Sequence, residues 1–204
     1  MPRSQGPRPI APNKAETSLL PPFAGLPLEC IFVPKAKSDF AAAAAEIFAA
    51  GIAGFDTESK PTFSAGEKSD GPHLVQLALP TKAFIFQLHR PDCLPFVIEL
   101  LQSDKVKKVG FGLKGDHTQI RRKLGIVPNA VFDLDHAFRK AGYRGQIGVR
   151  AAVGAVLKQS FPKSKSVTTS NWAQPHLTSR QLLYAANDAY AALKVYEAME
   201  MGRL

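Results

Sequence analysis

Apolar runs bounded by proline and glycine divide the chain into segments of strand length. The predicted strands are 30–33, 52–58, 73–79, 83–88, 107–111 and 131–134. Helical periodicity predicts helices over 39–50, 92–102 and 114–124, and further helices occupy the remainder of the chain. Three strands in succession, followed by alternating helices and strands, indicate an α/β fold with a central mixed sheet flanked by helices.

Two of the predicted helices begin at recognisable capping residues. Ser38 is a candidate N-cap for the helix 39–50, which Gly51 ends. Thr178 and Gln181 have the spacing of a capping box at the start of the last helix. Because the cap fixes where a helix begins, it also fixes the direction in which the following side chains point.

Residues 1–27 differ in composition from the rest of the chain. They hold seven of the 16 prolines and few bulky apolar residues. This composition predicts a flexible, Pro-rich N-terminal tail. Residues 28–204 are then expected to form one folded domain.

The chain is basic, with 26 lysines and arginines, 17 acidic residues and a formal net charge of +9. A basic surface favours a polyanionic partner, and nucleic acid is the commonest one. Cys30 and Cys93 are too few for a disulfide framework or a four-ligand zinc site, and we expect free thiols in a reducing cytoplasm. No apolar run of about 18 residues occurs, so no membrane partner is expected.

Four carboxylates and one tyrosine are spaced so that they can converge. Asp56 and Glu58 are two residues apart on a strand, and Tyr184 and Asp188 are four apart on a helix, so each pair shares a face. Asp116 lies at the start of another helix. At about 4 Å and an effective dielectric constant of about 20, each pair of like charges costs on the order of 4 kcal/mol. Bound cations would remove this repulsion, so the pattern predicts a site for two divalent cations and an activated water.

Three blocks of sequence carry these five residues. The first block is Phe55-Asp56-Thr57-Glu58, and the second runs from Val109 to Asp116. The third runs from Lys165-Ser166-Val167 through Ser170-Asn171-Trp172 to the segment Leu182–Tyr190. In order and spacing they resemble the DEDDy branch of the 3′–5′ exonucleases, the family of ribonuclease D and the Werner-syndrome exonuclease domain. The resemblance covers roughly residues 30–201 and implies the ribonuclease H-like fold and an exonuclease domain over 28–204.

The resemblance also implies roles for individual residues. Asp56, Glu58, Asp116 and Asp188 would hold two Mg²⁺ or Mn²⁺ ions, and Tyr184 would orient the attacking water. The implied reaction is hydrolysis at the 3′ end of a single strand of nucleic acid, which releases nucleoside 5′-monophosphates. DNA, RNA and short oligonucleotides all stay open as substrates.

Basic and aromatic residues near the three blocks are candidates for contacts with nucleic acid. The lysines are Lys60, Lys114, Lys163 and Lys165, which could bind the backbone of a single strand. Ser59-Lys60-Pro61 follows Glu58 where Werner-like relatives place an aromatic residue. Phe63 is then the candidate to stack on the terminal base.

Two other functions compete with this interpretation. Gly110, Gly112 and Gly115 match G-x-G-x-x-G between a strand and a helix, which is typical of a dinucleotide-binding oxidoreductase. Asp116 would place a carboxylate where the pyrophosphate should bind, so no nicotinamide cofactor is expected. The second alternative is a non-catalytic nucleic-acid-binding module on the same fold, although a module that only binds has no use for four clustered acids.

Overall fold

The computed structural model describes residues 9–62, 66 and 69–203, which form a six-stranded sheet with helices on both faces. The strands are β1 (Ile31–Phe32), β2 (Ile52–Glu58), β3 (Leu74–Ala78), β4 (Ala83–Gln87), β5 (Lys107–Gly110) and β6 (Val131–Asp133). Their order across the sheet is β1-β4-β3-β2-β5-β6. The predicted α/β fold with a central mixed sheet is confirmed.

Helices connect and cover these strands. They are α1 (Lys14–Ser18), α2 (Lys37–Ala50), α3 (Leu94–Gln102), α4 (Lys114–Leu124), α5 (Leu134–Lys140), α6 (Val149–Ala152), α7 (Lys165–Thr168) and α8 (Ser179–Glu200). A π-helical turn, Val153–Leu157, continues α6. Across the described residues, no helix is both long and apolar enough to cross a membrane.

The direction of the strands places β2 at the centre of the sheet. β2, β3 and β4 are antiparallel neighbours, whereas β5 runs parallel to β2, and β6 runs parallel to β5. β5 pairs with β2 only over Ile52–Gly54, so Asp56 and Glu58 extend beyond the end of β5. Their side chains therefore lie where the parallel strands end, which is the usual position of ligand sites in sheets of this kind.

The long helix α8 lies very close to β2. Gly54 has no side chain, and a Cβ atom there would lie 1.9 Å from the carbonyl oxygen of Ala189. Ala185, Ala186 and Ala189 are buried on the same helix. Small residues on both elements allow the two backbones to approach, and this approach brings the acidic residue of α8 to the acidic residues of β2.

Apolar side chains fill both faces of the sheet. On one face, Phe55 packs among Phe40, Ile47 and Leu100 from α2 and α3. On the other face, the alanines of α8 pack against Ile85 and neighbouring strand residues. The sheet is therefore the middle layer of three, and the end of β2 is held from both sides.

The two predicted helix caps have different outcomes. Thr178 caps α8 as expected, since its Oγ1 accepts from the Gln181 amide at 3.3 Å and its own amide donates to Gln181 Oε1 at 3.0 Å. Ser38 is not an N-cap, because α2 begins at Lys37. The Asp39 carboxylate instead accepts from two preceding backbone amides at 3.0 and 2.9 Å. A carboxylate at the third position of a helix can reach back to the free amides before the first turn, and its negative charge is favoured at that end. Ser38 lies inside the first turn and so is not in the capping position.

The described part of the N-terminal segment differs from the predicted flexible tail. Residues 9–27 lie against the domain, with α1 near their middle and Thr17 and Leu26 buried. Phe23 donates its amide to the Ser160 carbonyl at 2.8 Å, and the Ser160 amide donates to Pro21 at 2.7 Å. These contacts join residues far apart in sequence, so composition alone gave no sign of them.

Candidate active site

Three carboxylates from two elements meet at the end of β2. One oxygen atom each of Asp56, Glu58 and Asp188 lies within 4.8 Å of the other two. β2 supplies the first two residues on one face of the strand, and α8 supplies the third. Oxygen donors gathered in this way are the ligands that hard divalent cations prefer.

Asp116 lies beside this acidic cluster. It occupies the first turn of α4, and its Oδ1 accepts a hydrogen bond from the Thr57 hydroxyl. Together with burial, the negative charge of Asp116 raises the pKa of Asp56. Asp116, the fourth predicted carboxylate, is therefore near enough to influence the ionisation of the cluster. Its Oδ1 is occupied by the hydrogen bond from Thr57, the residue between Asp56 and Glu58.

Burial raises the pKa of each acid in the cluster, and repulsion by neighbouring carboxylates raises the pKa of Asp56 and Glu58 further. Burial, followed by the charges of Asp116 and Asp188, raises the pKa of Asp56 well above its ordinary value. Burial, followed by the charges of Asp56 and Asp188, raises the pKa of Glu58 to about 9. Burial also raises the pKa of Asp188, against the effect of Lys163. Compensating positive charge is needed to keep these groups ionised at neutral pH.

Lys163 supplies part of that charge. Its Nζ lies 2.7 Å from Asp188 Oδ2 and 5.5 Å from the centre of the Tyr184 ring. Burial alone would lower the pKa of Lys163, but the negative charge of Asp188, the hydrogen bond to it and the charge of Asp56 outweigh burial and raise that pKa. The other oxygen, Asp188 Oδ1, is buried and has no hydrogen-bond partner among the described residues. The ion pair with Lys163 therefore satisfies one oxygen of Asp188 and leaves the other, which is buried, without a hydrogen bond in the described part of the chain.

Tyr184 lies one helical turn before Asp188 on α8. Its hydroxyl accepts a hydrogen bond from Thr168 Oγ1 at 2.9 Å, and its ring lies 5.8 Å from that of the buried Trp172. Burial and the charge of Asp188 raise the pKa of Tyr184 to about 12. The phenol is therefore protonated at neutral pH and can act as a hydrogen-bond donor.

A sequence model of the family described as 3′–5′ exonuclease matches residues 31–201. This chain belongs to that family. The prediction of the exonuclease family made from the three sequence blocks is confirmed.

Known 3′–5′ exonucleases are similar to this chain over most of its length. The mouse bifunctional 3′–5′ exonuclease/ATP-dependent helicase WRN is 30% identical over 150 residues, which are 72% of this chain and 11% of the mouse protein. A 3′–5′ exonuclease of Arabidopsis thaliana is 29% identical over 152 residues, which are 72% of this chain and 52% of the plant protein. This chain therefore spans about a tenth of one relative and about half of the other.

The fold is shared with solved structures. The crystal structure of Trypanosoma brucei RNase D in complex with RNA U12 matches with a TM-score of 0.72 at 20% identity, and the match covers 82% of this chain and 61% of that one. At this identity the likeness concerns the fold, and it confirms the predicted ribonuclease H-like architecture of the exonuclease domain.

The glycine-rich segment before α4 has an internal hydrogen-bond partner. The amides of Gly112 and Leu113 each donate to the Asp133 carboxylate at 3.0 Å. These amides precede α4, where a dinucleotide-binding loop would present them to a pyrophosphate. Asp133 occupies that position, so the geometry argues against the oxidoreductase alternative.

The predicted contacts with nucleic acid are placed only in part. Lys60, Lys114 and Lys165 are exposed, each within a few residues of a site residue in sequence. Phe63 lies outside the described residues. The ion pair of Lys163 with Asp188 was not predicted. The only sequence feature that indicated Lys163 was its position two residues before the third block.

Proposed function

We propose that this exonuclease hydrolyses the phosphodiester bond at the 3′ end of single-stranded nucleic acid and releases nucleoside 5′-monophosphates, with two Mg²⁺ or Mn²⁺ ions as cofactors. The observation that carries the proposal is the meeting of Asp56, Glu58 and Asp188 within 4.8 Å. A phosphodiester carries negative charge, and bare carboxylates would repel it. Cations between the carboxylates and the phosphate would reverse that repulsion.

The residues present fit such cations. All the donors of the cluster are carboxylate oxygens, which suit magnesium and manganese better than zinc or copper. Asp188 Oδ1 is a buried acceptor that lacks a partner in the described structure. Asp56, Glu58 and Asp188 would hold one ion, and Asp56 with Asp116 would hold the other. When bound, the ions supply an activated water and stabilise the charge on the phosphoryl oxygens.

Two contacts already occupy carboxylate oxygens of this site. Lys163 holds Asp188 Oδ2, and the Thr57 hydroxyl holds Asp116 Oδ1. Lys163 is one flexible and partly exposed side chain, so it can leave the carboxylate at little cost in packing. Released from Asp188, its charge becomes available to a phosphate group of the substrate.

Tyr184 has a positioning role in this mechanism. A phenol with a pKa of about 12 does not accept a proton from water at neutral pH. Its hydroxyl can donate a hydrogen bond to the attacking water and align it with the scissile bond. The contact from Thr168, together with the packing of the ring on Trp172, holds the hydroxyl in place.

The proposed substrate follows from charge and from relatives. The chain carries a formal net charge of +9. Lys60 and Lys114 are exposed and lie two residues from Glu58 and Asp116 in sequence, and Lys165 is exposed two residues after Lys163. The T. brucei RNase D was crystallised with RNA, and the mouse relative is described as an exonuclease and helicase. Both RNA and DNA ends therefore belong in the test.

The test is a cleavage assay on matched RNA and DNA oligonucleotides that carry a 5′ label. We expect a ladder that shortens one nucleotide at a time from the 3′ end, with nucleoside 5′-monophosphates as products and no cleavage in excess chelator. Asp56→Asn is the inactive control. Tight binding without cleavage under Mg²⁺ and Mn²⁺ would instead favour the non-catalytic binding module.

A further inference from the structure

A cavity of about 470 Å³ opens beside the catalytic end of α8. Tyr184 and Asp188 lie on its wall, together with Leu183 and Asn187 of the same helix. Its volume lies within the range of about 300–1,000 Å³ that is typical of small-molecule sites. The cavity is therefore large enough for a small ligand and adjoins the groups that we place at the reacting phosphate.

The opposite wall comes from the N-terminal strap, which we define as residues 9–27. Phe23, Gly25 and Leu26 of this strap line the cavity. The family match begins at residue 31, so the strap precedes the part of the chain that defines the family. A wall of the cavity is thus built by a segment outside the matched exonuclease region.

The strap is attached to the catalytic helix by a side-chain amide. Asn187 Oδ1 accepts from the Leu26 amide at 2.6 Å, and Asn187 Nδ2 donates to the Leu26 carbonyl at 3.2 Å. Asn187 directly precedes Asp188. Gly25 makes this contact possible, because a Cβ atom there would lie 2.4 Å from Asn187 Oδ1.

An aromatic cluster supports the same wall. The Phe23 ring lies 5.5 Å from that of Phe161 and 5.9 Å from that of Tyr190. Phe161 also lines the cavity, and Arg180 lies on its wall as a cationic group. The lining therefore combines aromatic and apolar surface with one guanidinium, which suits a flat heteroaromatic base attached to a charged backbone.

We propose that the N-terminal strap completes a binding site for the terminal nucleoside of the substrate and so sets the affinity of the enzyme for a 3′ end. The proposal rests on the proposed function. Phe23, held by Phe161 and Tyr190, provides apolar surface for the base, and the contact between Asn187 and Leu26 keeps the strap beside the catalytic helix. A stacked base contributes a factor of about 5 to 150 in affinity.

The experiment measures binding in the full chain without cleavage. In an Asp56→Asn background, fluorescence anisotropy compares a 5′-labelled oligonucleotide that has an intact 3′-terminal base with one that ends in an abasic sugar. We expect the intact end to bind about tenfold more tightly. Phe23→Ala should reduce this preference to about twofold or less, because it removes the surface on which the base rests.

Two further variants distinguish an effect of the strap on binding from a general loss of folding. Gly25→Val must displace either the strap or the Asn187 side chain, and both movements break the contact with Leu26, so the preference for the intact end should fall again. Phe32→Ala removes an exposed aromatic residue from a different cavity and should keep the full preference. Thermal melting of each variant verifies that it is folded.

The outcomes distinguish this proposal from the proposed function. An unchanged preference for the intact end in both strap variants, or no preference in the parent protein, would overturn the role of the strap even if the enzyme cleaves normally. In the active background, Phe23→Ala should raise KM about tenfold and change kcat by no more than about twofold. Absence of cleavage in wild type, with the binding preference intact, would contradict the proposed function alone.

Discussion

Gly54 of β2 lies directly against Ala189 of α8, so closely that a Cβ atom on Gly54 would lie 1.9 Å from the Ala189 carbonyl oxygen. This contact sits two residues before Asp56 and one residue after Asp188. The distance between the two elements that supply the acidic cluster therefore depends on the absence of one side chain.

Gly54→Ala should separate β2 from α8. We expect a loss of about 1–3 kcal/mol in the free energy of unfolding, because backbone atoms must move to admit the methyl group. The shift of the carboxylates should lower kcat about tenfold to a hundredfold. Urea unfolding and a cleavage assay measure the two effects.

A matched glycine controls for the change in backbone freedom. Gly115 lies in α4, and a Cβ atom there would have no atom within 4 Å. Gly115→Ala should leave the free energy of unfolding unchanged or raise it by up to about 1 kcal/mol. If Gly54→Ala behaves like Gly115→Ala in unfolding, the close packing of α8 on β2 is not a constraint on the fold.

Lys163 should compete with cations for Asp188. Because its Nζ is 2.7 Å from Asp188 Oδ2, Lys163→Gln removes a positive charge from the cluster. We expect the metal-free variant to lose about 1–3 kcal/mol of stability, below the 3–5 kcal/mol typical of a broken, fully buried pair. Its affinity for Mn²⁺ should rise about tenfold, which calorimetric titration measures. A weaker affinity would show that Lys163 supports the cation site instead of competing for it.

Tyr184→Phe isolates the role of the phenol hydroxyl. The ring would keep its packing on Trp172, whereas the hydrogen bond to water would be lost. We expect kcat to fall about tenfold to a hundredfold with unchanged Mn²⁺ affinity. Since the pKa of Tyr184 is about 12, the pH profile of the remaining activity should match that of wild type below about pH 9. A lost basic limb in that range would mean that the tyrosine acts as an acid or base.

The buried Lys108 should make the free energy of unfolding change with pH in the alkaline range. It is fully buried on β5, where its ammonium donates to the Leu100 and Ser103 carbonyls at 3.1 and 2.7 Å. Burial lowers the pKa of Lys108 to about 8 from 10.5. Between these values the unfolded chain holds a proton that the folded chain has released, so the free energy of unfolding should rise with pH, by up to about 3 kcal/mol.

Urea unfolding at about pH 7.5 and about pH 10.5 measures this change. Other groups titrate in the same range, so the comparison is with Lys108→Met, which should lack this contribution to the pH dependence. Lys105→Met, at an exposed lysine nearby, should retain it. Identical pH dependence in wild type and Lys108→Met would show that the buried lysine keeps its proton.

The sequence was informative where the signal is local. Asp56 and Glu58 share a face because of the strand period, and Tyr184 and Asp188 share one because of the helix period and the cap at Thr178. The remaining parts of the site depend on contacts between distant residues. The pairing of Lys163 with Asp188 and the hydrogen bond from Thr57 to Asp116 follow from packing, which no local pattern encodes.

The N-terminal segment also depends on contacts with distant residues that its own sequence does not indicate. Its prolines and few apolar residues are typical of an unfolded leader, yet Leu26 and Thr17 are buried against the domain. The partners that hold it, Ser160 and Asn187, lie more than a hundred residues away. Composition reports how much core a segment can form alone, and not how well it fits a surface made by the rest of the chain.

The central claim is that Asp56, Glu58 and Asp188 hold divalent cations for hydrolysis, and titration with Mn²⁺ followed by electron paramagnetic resonance tests it most directly. We predict two bound ions per wild-type chain. Asp188→Asn and Asp56→Asn should lose ions together with cleavage, whereas Asp104→Asn, at an exposed acid elsewhere on the surface, should lose neither. Full Mn²⁺ occupancy in Asp188→Asn, or an absence of bound Mn²⁺ in an active wild-type enzyme, would contradict the claim.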